Sequence, residues 1–144
     1  MTSTQSLRGQ CYCGACRYSV STPPSDVVYC HCAMCRRLHG ADRTTWVSVP
    51  AAAFVLDARE EDLRRFAVSE RTTKTFCARC GTSLFHETRG YEGVVGLLAG
   101  TLSDAPVLTP SGHYFYSDRA TWTAAPNDGL PLFGGSSGFE PIKG

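Results

Sequence analysis

The residues best suited to chemistry in this sequence are its eight cysteines, which fall in three clusters and nowhere else. They read Cys11-Tyr12-Cys13-Gly14-Ala15-Cys16, Cys30-His31-Cys32-Ala33-Met34-Cys35 and Cys77-Ala78-Arg79-Cys80. Clustered thiolates at two- and three-residue spacing are soft, anionic donors for a tetrahedral ion such as zinc. A Cys-x-x-Cys pair spans one edge of that tetrahedron through a tight turn. A glycine directly after a cysteine lets the backbone fold back and aim N–H groups at sulfur. Cys80-Gly81 and Cys13-Gly14 both have this form.

One such pair is half a site. The first cluster is the natural donor of the other half, which groups Cys11 and Cys13 with Cys77 and Cys80. Structural zinc in small peptides binds with about 10–16 kcal/mol near neutral pH. Domain stabilities are about 5–15 kcal/mol, so such an ion would decide whether the chain folds. Cys30, Cys32 and Cys35 remain, with Cys16. Three thiolates leave one coordination position open, as catalytic zinc sites do. Cys16 is either a spare buried thiol or a fourth ligand that closes this second site. Two zinc ions per chain is the expectation. Four disulfides, one structural zinc with free thiols in the second cluster, or an iron–sulfur centre are the competing readings. Arg17, Arg36, Arg37 and Arg79 flank the ligands and would offset the negative charge of thiolate-bound zinc.

The histidines are possible acid–base groups. His31 lies between two cysteines, and alternation would point it away from their metal. His39 could face the same pocket. His86 and His113 fall in expected strands and are assigned no role. Arg36 and Arg37 either pair with a substrate carboxylate or line a solvated helix face.

These groups must be held by short elements. Alternating or β-branched stretches predict strands near 17–21, 27–29, 44–49, 63–68, 74–76, 83–87, 94–99 and 113–116. Residues 89–93 read as the hairpin turn between two of them. Helix signals are few: one or two turns over 32–39, stopped by Gly40, and a turn opened by Pro50. Residues 60–65 are ambiguous between helix and strand. The acidic run 57–62 reads as a solvated turn. Tyr18, Trp46, Phe54, Phe66, Phe76 and Phe85 are candidate core residues. From about residue 120 proline and glycine accumulate.

The whole chain is 144 residues with 14 basic against 13 acidic side chains and a net charge of +1. One domain of 1–144 is expected, with a core of about 8–122 and an irregular Pro/Gly-rich tail over 123–144. A near-neutral balance argues against nucleic acid as a partner. No run approaches the roughly 18 apolar residues of a membrane span. No secretory leader is visible, so a reducing cytoplasmic setting is expected, where thiols favour metals over disulfides.

Segments 9–18, 30–40 and 76–84, together with Arg71, Gly100-Thr101-Leu102 and the 113–122 stretch, resemble the glutathione-dependent formaldehyde-activating enzyme family, which includes centromere protein V-like proteins. The resemblance spans roughly residues 8–133. It implies a mainly β, zinc-binding, β-tent-like domain of several short antiparallel strands with little helix. It implies a structural zinc on Cys11, Cys13, Cys77 and Cys80, and a catalytic zinc on Cys30, Cys32 and Cys35. It also implies a carbon–sulfur lyase resembling S-(hydroxymethyl)glutathione synthase, with glutathione and formaldehyde, or a related small electrophile, as small-molecule substrates. Two alternatives stand beside it: a non-catalytic zinc-stabilised binding module, and a family lyase or hydrolase with another substrate.

Overall fold

The structure, a computed structural model, describes residues 6–104 and 106–143. It is mainly β. The first strands are β1 (Leu7–Gln10), β2 (Arg17–Val20) and β3 (Asp26–Cys30), followed by helix α1 (Ala33–His39). Then come β4 (Thr44–Pro50), β5 (Phe54–Asp57), β6 (Leu63–Ala67), β7 (Thr72–Cys77), β8 (Ser83–Thr88) and β9 (Val94–Leu98). The last are β10 (His113–Tyr114), β11 (Leu132–Gly134) and β12 (Glu140–Ile142). Among the described residues no helix is long and apolar enough to cross a membrane.

Contacts divide the chain into two compact units. The first comprises residues 1–25 and 47–107, the second residues 26–46 and 108–144, and β4 runs through the division. In the first unit β1, β2 and β5 form an antiparallel sheet, with Tyr18 opposite both Gly9 and Leu56. The strands β6 to β9 form an antiparallel meander, each paired with its neighbour in sequence. Period-two burial places Leu7, Tyr18, Val20, Leu84, Val95 and Leu97 inside. Residues 60–65, ambiguous in sequence, resolve into a single 3-10 turn over Glu60–Asp62 and then β6. Phe66, a candidate core residue, is 53% exposed, because only the first residue of β6 is buried.

In the second unit β10 runs parallel to β3, and β11 parallel to β10, with β12 returning antiparallel. The register sets His113 opposite Tyr29 and Tyr114 opposite Cys30. Residues 123–131 carry no helix or strand, and β11 and β12 lie beyond them. Helix α1 opens at Cys32, whose sulfur accepts from Cys35 N–H, and ends at Gly40 in the left-handed region. The buried residues here are unusually polar: His31 and His113 are 1% and 0% exposed beside Val27, Cys30, Cys35 and Tyr116.

Candidate metal centres

Each unit builds one group of cysteines. In the first unit Cys11 follows β1 and Cys13 sits in the turn to β2, while Cys77 ends β7 and Cys80 sits in the turn to β8. The two turns close alike: Cys11 N–H donates to Cys16 O at 2.9 Å and Cys77 N–H to Thr82 O at 2.9 Å. Gly14 and Gly81 both take φ of +81°, which L side chains avoid. Amides aim at sulfur, from Cys16 to Cys11 at 3.3 Å and from Arg79 to Cys77 at 3.4 Å. Tyr12 N–H donates to Thr82 Oγ1 at 3.1 Å and so ties one turn to the other.

The four sulfurs of Cys11, Cys13, Cys77 and Cys80 lie within 4.8 Å of one another. Cys11 and Cys13 are 3.6 Å apart, Cys13 and Cys77 3.8 Å. A zinc–sulfur bond of about 2.3 Å gives a tetrahedron with edges of about 3.8 Å, so the spacing fits such an ion. Burial opposes ionisation of Cys80, but the Thr82 hydroxyl and N–H outweigh it and hold the thiol down at about 5.

In the second unit the sulfurs of Cys30, Cys32 and Cys35 lie within the same 4.8 Å. Cys30 and Cys35 are 3.7 Å apart, again a tetrahedral edge. Cys35 N–H donates to Cys32 Sγ at 3.2 Å. Hydrogen bonds from Cys30 and Cys35 hold the Cys32 thiol down at about 2, and the same contacts push Cys30 up. Both groups could hold a metal ion, the first with four donors and the second with three.

A family model described as glutathione-dependent formaldehyde-activating enzyme matches residues 6–118. The chain belongs to this family. A crystal structure of a Rhodobacter sphaeroides protein is similar in fold, with a TM-score of 0.57 at 22% identity over 69% of this chain and 90% of that one. The family match contains all eight cysteines and ends ten residues before Asp128, which the second unit uses as described below.

Cys16 is not one of the grouped sulfurs, although Cys77 and Cys11 are its neighbours. It is fully buried and its Sγ donates to Asp62 O at 3.3 Å. Burial, with Cys77 and Cys11 nearby, pushes its thiol up to about 12. The flanking arginines are engaged by the protein itself. Arg17 donates to Gly14 O, Arg36 to Asp118 O and Arg79 to Asp62. Asp62, expected in a solvated turn, is only 4% exposed: Arg79 and Arg59 hold its two oxygens at 2.6 and 3.1 Å.

His39 packs edge-on to Trp46, and His86 is buried in β8. His31 Nε2 and His113 Nδ1 are 2.9 Å apart, and His113 Nε2 is 2.8 Å from Asp128 Oδ2. Burial first, then His113, pushes His31 down to about 4, so it is neutral at pH 7. Sequence reasoning considered His31 alone and assigned His113 nothing. Asp128 offers only a turn signal, Asn-Asp-Gly, with no hint of a histidine partner.

Beside α1 a cavity of about 490 Å³ is lined by Arg36, Arg37, Asp42 and Trp122 among others. Trp122 is 71% exposed and Arg37 is exposed. Two guanidinium groups, one carboxylate and one open indole face suit a ligand carrying both carboxylates and an ammonium group.

Proposed function

We propose that the protein is a zinc-dependent carbon–sulfur lyase that joins the thiol of glutathione to formaldehyde or a related small electrophile. The observation that carries this is the group Cys30, Cys32 and Cys35: three sulfurs within 4.8 Å of one another, Cys30 and Cys35 at a tetrahedral edge of 3.7 Å, with no fourth His, Cys, Asp or Glu donor grouped with them among the described residues. Family membership supports the reaction class. Cys11, Cys13, Cys77 and Cys80 hold a structural zinc in this reading. A zinc bound by Cys30, Cys32 and Cys35 supplies an open Lewis-acidic position.

The chain's own residues bind and orient. Arg37, with the part of the Arg36 guanidinium not given to Asp118 O, receives the carboxylates of glutathione, Asp42 its ammonium group, and Trp122 covers the peptide. The overall reaction balances without redox change. The sulfur–hydrogen bond breaks, a sulfur–carbon bond forms at the carbonyl carbon, and the proton finishes on the carbonyl oxygen as a hydroxymethyl thioether. All eight cysteines are free of disulfides, which supports a reducing, cytoplasmic setting.

The test is metal stoichiometry by native mass spectrometry, with and without glutathione, paired with nuclear magnetic resonance detection of the hydroxymethyl thioether from labelled formaldehyde. The expected result is two zinc ions, retained glutathione, and product formed faster than without protein. Two inert ions, no glutathione bound and no acceleration would replace this reading with a zinc-stabilised binding module. Glutathione bound without product would point to another electrophile.

A further inference from the structure

The second unit contains a chain of polar groups that the reading above does not use. Asp128 Oδ1 accepts from Leu130 N–H at 3.0 Å, which fixes its carboxylate, and Oδ2 meets His113 Nε2 at 2.8 Å. A carboxylate only accepts, so His113 Nε2 carries the hydrogen. In neutral His113 the lone pair is then at Nδ1, where it accepts from His31 Nε2–H at 2.9 Å. His31 is left with its lone pair on Nδ1, a buried atom without a hydrogen-bond partner among the described residues. The carboxylate thus dictates the tautomers of two rings in series.

The rings are also clamped. Tyr29 stacks on His113 with centroids 4.9 Å apart, and Tyr116 sits edge-on to His31 at 5.1 Å. His31 N–H donates to Tyr114 O at 2.9 Å. The following residue, Phe115, holds a left-handed φ of 55°, a strained value for a bulky side chain. A hydrocarbon at position 31 would fill the same space without the cost of burying imidazole. What hydrogen bonds in line add is direction. Ring direction at residue 31 constrains the backbone between Cys30 and Cys32, and so the separation of their sulfurs.

We propose that Asp128, acting through His113 on His31, is a positioning residue that presets the Cys30–Cys32 pair for metal. This rests on the reading that Cys30, Cys32 and Cys35 hold an ion. Direct hydrogen-bond partners of a metal ligand change affinity by about 10–100-fold when removed; Asp128 acts further out, through the backbone beside two ligands, so an effect near the lower end is expected.

The experiment follows zinc release from the zinc-loaded full chain to a chelating dye, in wild type and in Asp128→Ala and Asp128→Glu. Cys35→Ser identifies which release phase belongs to the three-cysteine group. The expected result for Asp128→Ala is release from that group faster by up to about 10-fold, with release from the four-cysteine group unchanged. Asp128→Glu, which keeps the acceptor, should recover most of the difference. Two-bond proton–nitrogen spectra should show His31 as the Nε2–H tautomer in wild type, a mixture in Asp128→Ala and the single tautomer again in Asp128→Glu, with the unchanged four-cysteine phase as the control against general loosening of the fold. Equal acceleration of both phases, or an unmoved phase in a folded variant, would overturn the role given to Asp128. A wild type with no metal on the three-cysteine group would overturn the underlying reading as well, whatever the tautomer spectra show.

Discussion

At the scale of single residues, Cys16 separates two kinds of cysteine that look alike in sequence. It follows Cys13 at the same spacing by which Cys35 follows Cys32, yet its sulfur donates to a backbone carbonyl and is not one of the four grouped within 4.8 Å, although Cys77 and Cys11 are its neighbours. Its proton is committed to the Asp62 carbonyl, and its sulfur is not grouped with either set of donors. Cys16→Ala should therefore leave the zinc count unchanged and cost about 1–2 kcal/mol in denaturant unfolding, the range for losing a small buried group with one hydrogen bond. Loss of one zinc in that variant would contradict the assignment. The grouping of the other seven cysteines was legible because donor spacing is local chemistry. The Cys16–Asp62 contact was not, because its partner is distant in sequence and is a main-chain oxygen. The same limit hid Asp128 and His113: a parallel register between β3 and β10 brings one ring to the other, and nothing near either residue announces it.

At the scale of elements, strands with β-branched or alternating residues were readable, and so was α1 with its glycine stop. β5, hidden behind the turn at Pro50, and β11 and β12, three residues each among prolines and glycines, have too few positions to show a period. The 60–65 segment shows how tertiary partners decide between elements. Asp62 is drawn inward by Arg79, from the turn that carries Cys77 and Cys80, and by Arg59. The chain leaves that turn as an edge strand with Arg64, Arg65 and Phe66 exposed. The Arg79 guanidinium, then Arg59 against the opposing effect of burial, hold the Asp62 carboxyl below the usual carboxylate range. A depressed folded value contributes stability that is present above the unfolded value of about 3.9 and is lost as pH falls through the lower folded value. Wild type should therefore exceed Asp62→Asn in denaturant midpoint at neutral pH, and the gap should close in acid. A gap that stays constant down to about pH 2 would show that the charge on Asp62 is not the source.

At the scale of the whole molecule, the decisive fact is that each unit holds its own group of cysteines, and that the two groups bridge very different lengths of chain. Cys11 and Cys13 meet Cys77 and Cys80, so an ion there closes a long loop and joins two turns of the first unit that strand pairing alone does not link directly. Cys30, Cys32 and Cys35 lie within one short segment, where an ion constrains little that β3 and α1 do not already fix. Loop-closure entropy grows only slowly with length, but a zinc ion held by the four donors would also supply binding free energy on the order of 10–16 kcal/mol, comparable with a whole domain's stability of about 5–15 kcal/mol. Cys77→Ser and Cys80→Ser should accordingly prevent folded protein from accumulating. Cys35→Ser should give folded protein with one zinc and no acceleration of the thiol–formaldehyde reaction, read by circular dichroism, metal analysis and product detection on the same sample. If all three variants failed to fold, the three-cysteine group would be as structural as the other, and its open position would have to be explained without catalysis.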